Sequence, residues 1–189
     1  MKIYLASGSP RRKTLLRQAR IRFTLVKPDY EEKNENRLVP SVLTKKHALG
    51  KALSVASKVK MGVIISADTV IFFKGKILGK PKTKAYAFKM LGNLCGHWHD
   101  VVTGVALLKV EKGQIVKKSV FSVKSRVYLN YFNTNEIKHY FLKVNPMDKA
   151  GAYAAQSQKP GIVGKVRGSF SNVVGLPMEK LKKELNVLK

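Results

Sequence analysis

Short apolar runs alternate with helical repeats along this chain, which is the pattern of a mixed α/β fold. Residues 3–6 form an apolar run that predicts a buried strand. Pro10 follows a small polar turn and predicts the start of a helix, with Ser9 as its N-cap. Apolar residues recur every three or four positions over 41–56, which predicts a second helix. Residues 62–73 are apolar almost throughout, as in a strand that is covered on both faces.

The same alternation continues to the end of the chain, without an internal repeat or a linker. We predict a hairpin through 74–76, a helix over 83–91, long β segments at 101–109 and 115–129, a helix over 136–142 capped by Asn133 or Thr134, and a last helix with Leu181, Leu185 and Leu188 buried. Residues 1–189 are therefore predicted to form a single domain with a cleft.

The charge of the chain is extreme, because 37 Lys and Arg face 11 Asp and Glu and leave a formal net charge of +26. The lysines are dispersed, so they predict attraction to acidic partners without separating nucleotides, nucleic acids and anionic membranes. The one cysteine, Cys95, excludes an intrachain disulfide and favours a reducing compartment. No apolar run approaches the ~18 residues of a membrane span, and we expect a cytoplasmic protein without a signal peptide.

The stretch 7–13 has the features of an anion site. A helix that starts at Pro10 presents free backbone N–H groups at the positive end of its dipole, and Arg11 and Arg12 add two permanent cations. Such a cradle suits a polyphosphate. The alternative is an ordinary capped helix whose arginines are solvated.

Two acidic positions stand out in this basic sequence. Asp68 interrupts an apolar strand, where a carboxylate must be matched by cations, a metal or hydrogen bonds, so we interpret it as holding a water or a metal. Structural pairing with backbone N–H groups is the alternative. The acidic run 29–32 is either a solvated loop or a source of a magnesium ligand. His97 and His99 are interpreted as structural or as polar groups of an edge strand, since two histidines without a third ligand are weak evidence for zinc.

The sequence predicts different environments for two lysines, Lys80 and Lys51. Lys80 should lie near the strand of Asp68, because the hairpin brings it back along that strand. Lys51 lies on the predicted helix over 41–56, where solvent exposure is the favoured interpretation for any single lysine.

Seven segments, taken in order, resemble the Maf family of nucleoside triphosphate pyrophosphatases. They are Ser-Gly-Ser-Pro-Arg-Arg at 7–12, Glu32, Lys-Ala at 51–52, Ala-Asp-Thr-Val at 67–70, Gly-Lys-Pro at 79–81, Asp-Lys-Ala-Gly-Ala-Tyr at 148–153 with Gln156, and Asn-Val-Val-Gly-Leu-Pro at 172–177. The resemblance covers nearly the whole chain. Within the family, these forms are similar to the branch that acts on dTTP and UTP.

The resemblance implies an elongated mixed β-sheet with flanking helices and two lobes around a cleft, often in a homodimer. It also implies hydrolysis of a nucleoside triphosphate to the monophosphate and pyrophosphate, with Mg²⁺ or Mn²⁺. Two departures stand out: Ala154 and Ala155 replace the more usual Gly-Ile, and the chain is far more basic than expected of the family.

The resemblance assigns roles residue by residue. Asp68 is the proton acceptor, and Glu32 and Asp68 would hold the metal. Arg11, Thr69 and Gln156 are specificity positions. The remaining site residues bind substrate: Ser7, Arg12, Lys51 and Lys80.

Two alternatives to this function remain open. One is a pyrophosphatase for other, non-canonical nucleotides, which would differ in its base pocket. The other is a basic nucleic-acid-binding protein, which should interleave aromatic and basic residues on a surface. We interpret the candidate aromatics as core, and so expect any nucleic-acid binding to be non-specific and peripheral; they are Phe72, Phe73, Phe121, Tyr128 and Tyr131.

Overall fold

A computed structural model describes residues 1–32, 39–156 and 161–188. The strands are β1 (Ile3–Leu5), β2 (Thr24–Leu25), β3 (Gly62–Phe73), β4 (Lys76–Leu78), β5 (Trp98–Glu111), β6 (Gln114–Leu129) and β7 (Val163–Arg167). The helices are α1 (Pro10–Gln18), α2 (Pro40–Leu53), α3 (Lys84–Leu94), α4 (Thr134–Lys143), α5 (Phe170–Val174) and α6 (Met178–Val187). No helix in these ranges is long and apolar enough to cross a membrane.

The strands form one mixed sheet, as the resemblance implied. Its order over the described residues is β2-β1-β3-β5-β6-β7, with β4 paired to the far half of β3. The β1 strand runs parallel to β2 and β3, and the longer pairs β3–β5 and β5–β6 are antiparallel. The register places Asp68 of β3 opposite Gly104 of β5. Gly104 lets α2 lie directly on the sheet, because a Cβ there would sit 2.3 Å from the carbonyl carbon of Thr44.

The apolar cores divide the molecule into two lobes. At one end of the sheet, α1 and α6 cover one face through residues such as Leu16 and Leu181, while α2 covers the opposite face through Ala48 and Ala52. At the other end, α3 and α4 enclose a separate core with the ends of β3, β5 and β6. Alternation along β3 places successive side chains on opposite faces, which explains the continuous apolar run.

The predicted elements are confirmed, with some differences in detail. The second helix ends at Leu53 rather than near 56, and Asn133 caps α4 in a capping box with Glu136. Ser9 takes the N-cap position of α1, but its side chain makes no capping hydrogen bond. The interpretation of Tyr131 as core is wrong, since 75% of that residue is exposed. Tyr128 is also outside the core, because it is only partly buried and lies against Trp98.

His99 has the structural role that the sequence suggested. Its Nε2 atom shares a hydrogen bond of 2.8 Å with the hydroxyl of Tyr153, and the ring is buried. Burial lowers the pKa of His99 from the usual 6.5 to about 4. The fold therefore favours the neutral imidazole.

We expect this imidazole to make stability depend on pH. The free energy of unfolding that the neutral imidazole contributes should be complete above pH 6.5. It should be lost as the pH falls from 6.5 towards 4, by up to about 3 kcal/mol. Urea unfolding at pH 7 and pH 4.5 measures the loss. His99→Gln should flatten this pH dependence, whereas His139→Gln, at an exposed position of α4, should retain it. Equal pH dependence in the two variants would contradict this assignment.

Candidate active site

A cleft of about 860 Å³ lies between the two lobes. Its walls include Val174 from the first core and Ile71, Met90 and Tyr153 from the second. Each of the predicted site residues lines it: Ser7, Arg11, Arg12, Glu32, Lys51, Asp68, Thr69, Lys80 and Gln156. Residues separated by up to 149 positions in the chain therefore meet around one volume.

Arg12 is anchored more firmly than a solvated arginine would be. Its Nε donates to the carbonyl oxygen of Gly175 at 2.8 Å, and its terminal nitrogens donate to Ser7 Oγ and Thr69 Oγ1, each at 3.0 Å. Burial lowers its pKa, and the negative charge of Asp68 opposes that shift. Three of the five N–H groups of the guanidinium thus fix its plane at the start of α1, with its charge towards the cleft.

Thr69 continues this network into the protein. Its hydroxyl lies 3.0 Å from Thr103 Oγ1, and Thr103 donates to the backbone carbonyl of Asn172 at 3.2 Å. The buried Asn172 donates in turn to the carbonyl of Val101 at 3.1 Å. The turn that follows α5, which carries the Gly175 carbonyl bound by Arg12, is therefore held to the floor of the cleft.

The carboxylate of Asp68 is paired with a cation inside the protein. Lys51 Nζ lies 2.8 Å from Asp68 Oδ1 and 2.5 Å from Glu32 Oε1. The side chains of Lys51 and Asp68 are each only 9% exposed. The expectation that Lys51 is solvent exposed is therefore wrong, because α2 turns this lysine onto β3.

Glu32 is the outer member of this trio. Burial alone would raise its pKa, but the ammonium of Lys51, with further help from Lys80 and His47, holds the pKa of Glu32 below its usual value. The carboxylate thus stays ionised near neutral pH. Two carboxylates and one ammonium form a compact charged cluster at the base of the cleft.

The opposite wall is more open. The Arg11 guanidinium approaches Asp148, with 3.5 Å to the backbone carbonyl and 3.9 Å to the side-chain carboxylate. Burial lowers the pKa of Arg11, and Asp148 opposes this shift. Lys80 and Gln156 also line the cleft, with exposed side chains. Among the described residues, Arg11 is held only by these long contacts to Asp148, so this wall can present its polar groups to a ligand.

Some residues that line the cleft were not predicted from the sequence. Lys82 and Tyr86 lie close to Lys80 in the sequence, and this proximity could have identified them as residues of the cleft. His47 lies one helical turn before Lys51, so it shares the same face of α2.

Tyr30 explains how the segment that carries Glu32 is held against α2. Its hydroxyl shares a hydrogen bond of 3.0 Å with His47 Nδ1, and the two rings meet edge to face. The ring also covers Gly50, where a Cβ would lie 2.1 Å from the Tyr30 ring. Only glycine allows this approach, so Gly50 indirectly positions Glu32 beside Lys51.

Gly50→Ala tests this arrangement. In an ordinary helix the change stabilises by about 0.5–1 kcal/mol, whereas here it should destabilise and displace Tyr30. Gly92→Ala is the matched control, because Gly92 also lies in a helix and a Cβ there would meet only Ile137 Cδ1, at 3.8 Å. Thermal unfolding should show opposite signs for the two variants. A Gly50→Ala protein as stable as Gly92→Ala would contradict the packing described here.

The chain resembles proteins of known family and fold. Residues 2–188 match the family described as Maf-like protein. A dTTP/UTP pyrophosphatase of Carboxydothermus hydrogenoformans is 43% identical over 185 residues, covering 98% of this chain and 97% of the relative. One of Methanosarcina mazei is 40% identical over 188 residues, covering 99% and 94%.

Two solved structures are similar in fold at low sequence identity. The Ham1 protein of Staphylococcus aureus matches with a TM-score of 0.52 at 15% identity over the whole of both chains. A HAM1 protein of Coxiella burnetii matches with a TM-score of 0.55 at 14% identity over 98% of each chain. Both support the mixed α/β architecture.

Proposed function

The chain belongs to the Maf-like protein family, and on this premise we propose that it hydrolyses dTTP and UTP to the monophosphate and pyrophosphate. The observation that carries the proposal is the buried Asp68–Lys51 pair at the base of a cleft that Arg11, Arg12 and Lys80 also line. A carboxylate among cations supplies both a base and charge neutralisation, which are the main requirements of phosphoryl transfer.

In the proposed reaction, water attacks the α-phosphorus of the nucleotide. A bond forms between the water oxygen and the α-phosphorus, and the bond from that phosphorus to the bridging oxygen breaks, so that pyrophosphate leaves. Asp68 accepts the proton of the water through its second carboxylate oxygen, while Oδ1 remains paired with Lys51. Arg11, Arg12 and Lys80 hold the phosphates and offset the charge that develops on them.

We propose that Glu32 and Asp68 hold a divalent cation, Mg²⁺ or Mn²⁺. Their fit rests on the donor set, because carboxylate oxygens are the ligands that these cations prefer and both side chains line the cleft. The described residues contain no cluster of three or more His, Cys, Asp or Glu that could bind a metal alone. Bound there, the ion would neutralise phosphate charge, and its remaining ligands would be phosphate and water oxygens.

The proposal is tested by pyrophosphate release across a panel of nucleoside triphosphates, with Mg²⁺ and with a chelator. We expect dTTP and UTP to turn over fastest, and only with the divalent cation present. Faster turnover of modified or purine nucleotides would favour the alternative, a pyrophosphatase for non-canonical nucleotides. No pyrophosphate from any triphosphate would contradict the enzymatic function itself.

Gln156 is proposed to read the base. An amide can donate and accept at once, which matches the imide edge of uracil and thymine. Gln156→Ala should therefore reduce kcat/KM for UTP and dTTP by about tenfold, the scale of one or two lost hydrogen bonds, and affect other triphosphates less. Gln114→Ala, at an exposed position of β6, is the control and should change neither. An equal loss for every nucleotide would remove Gln156 from base recognition.

A further inference from the structure

An aromatic and basic surface lies at the far end of the sheet, away from the proposed reaction. Direct cross-strand pairs place Trp98, Tyr128 and Lys165 in one row, and Asp100, Arg126 and Arg167 in the next. Paired residues, and residues two apart on one strand, share a face of the sheet. We call Trp98, Lys124, Arg126, Tyr128, Lys165 and Arg167 the Trp98 face.

Contacts between aromatic and guanidinium groups organise this face. The Arg167 guanidinium carbon lies 4.8 Å from the centroid of the Trp98 ring, and that of Arg126 lies 5.5 Å from it. The Tyr128 ring is 5.6 Å from Trp98, centroid to centroid. Such cation–π contacts hold flat groups in fixed positions on the sheet.

The charge on this face is mainly positive and accessible. Side-chain exposure is 53% for Arg126 and 63% for Lys124, and Lys165 and Arg167 are also exposed. Asp100 offsets part of this charge, at 3.6 Å from both Lys124 and Arg126. The balance of the face remains strongly cationic.

We propose that the Trp98 face binds single-stranded nucleic acid, with unpaired bases stacking on its aromatic and guanidinium groups. Stacking on aromatic rings and arginine planes, with cations along the backbone, is the usual chemistry of single-strand recognition. A duplex hides its base faces and would leave those flat groups unused. A second copy of the chain is disfavoured as the occupant of this face, because it would bring the same exposed cations against each other.

Trp98 is the one tryptophan of the chain, so its fluorescence reports on this face alone. The probe is a 12-nucleotide oligouridylate, and inorganic polyphosphate of similar charge is the comparison. We expect oligouridylate to quench Trp98 fluorescence and its affinity to fall as salt rises. Polyphosphate should bind without equivalent quenching, because it has no bases to stack.

Variants separate stacking from general charge. Arg126→Gln/Arg167→Gln should weaken oligouridylate binding by about tenfold, the scale of one lost base stack. Lys182→Gln/Lys183→Gln removes the same charge from exposed positions of α6, which packs on the opposite face of the sheet, and should weaken binding much less. Lys124→Gln/Lys165→Gln removes two charges from the Trp98 face but keeps its guanidinium groups. It is a second test of charge against stacking on that face. Pyrophosphate release from dTTP should be unchanged in all of them.

Several results would overturn the proposal. Equal loss of binding in the Arg126/Arg167 and Lys182/Lys183 variants would show that oligouridylate is bound by charge alone. Equal quenching by polyphosphate would show the same. Failure to bind oligouridylate at low salt would also contradict it. A dimer in sedimentation that Arg126→Gln/Arg167→Gln dissociates would assign the face to a contact between copies instead.

Discussion

Asp68→Asn is expected to lower the rate of pyrophosphate release by about 100-fold or more, the scale of lost acid–base assistance, while the protein stays folded. The amide keeps the size of the side chain but cannot accept the proton of the attacking water. The variant should still bind nucleotide, because Arg11, Arg12 and Lys80 are unchanged in the cleft.

The structure changes the reason for expecting the fold to survive. The sequence indicated only that the Asp68 carboxylate needs a partner, and the structure identifies that partner as Lys51, at 2.8 Å. In the variant, Lys51 keeps Glu32 as its partner, so no isolated charge is left buried. Rate, nucleotide affinity and melting temperature should be measured together. A variant that melts much earlier yet turns over normally while folded would show that Asp68 has only a structural role.

Lys51→Met is expected to have the larger effect on stability, about 3–5 kcal/mol of destabilisation, as when one partner of a buried ion pair is removed. Glu32 and Asp68 would then face each other without the ammonium that lies within 2.8 Å of both. Activity should also fall steeply, because two adjacent carboxylates favour uptake of a proton by one of them. Lys89→Met, at an exposed position of α3, is the control and should change stability by far less.

Combining Lys51→Met with Asp68→Asn measures the interaction energy between Lys51 and Asp68. The second substitution removes the stranded charge, so the double variant should recover most of the stability lost in Lys51→Met. Urea unfolding of the wild type, both single variants and the double variant completes the cycle. Strictly additive losses would mean that Lys51 and Asp68 do not interact energetically, against the distance observed.

The sequence was sufficient to predict most of the secondary structure and the position of Asp68. The long apolar run of β3 and the spacing in α2 and α6 follow from burial on the sheet, which leaves a periodic trace in the sequence. Weak local signals were less informative. The β2 strand spans only Thr24–Leu25, which is too short to leave a clear periodic pattern.

Pairing between distant residues was the main feature that the sequence could not reveal. Lys51 looks like one more solvated lysine on an amphipathic helix, and its burial depends on how α2 crosses β3. The bond from Arg12 to Gly175 joins residues 163 positions apart. Trp98 was missed because its partners, Arg126 and Arg167, become neighbours only through strand register.

Hydrolysis of dTTP in water enriched in oxygen-18 tests the proposed reaction most directly, with mass analysis of both products. Attack at the α-phosphorus predicts one labelled oxygen in dTMP and none in pyrophosphate. A label in pyrophosphate would place the attack on the β-phosphorus. Formation of dTDP with labelled orthophosphate would place it on the γ-phosphorus. Either result would contradict attack at the α-phosphorus, and the second would also contradict hydrolysis to dTMP and pyrophosphate.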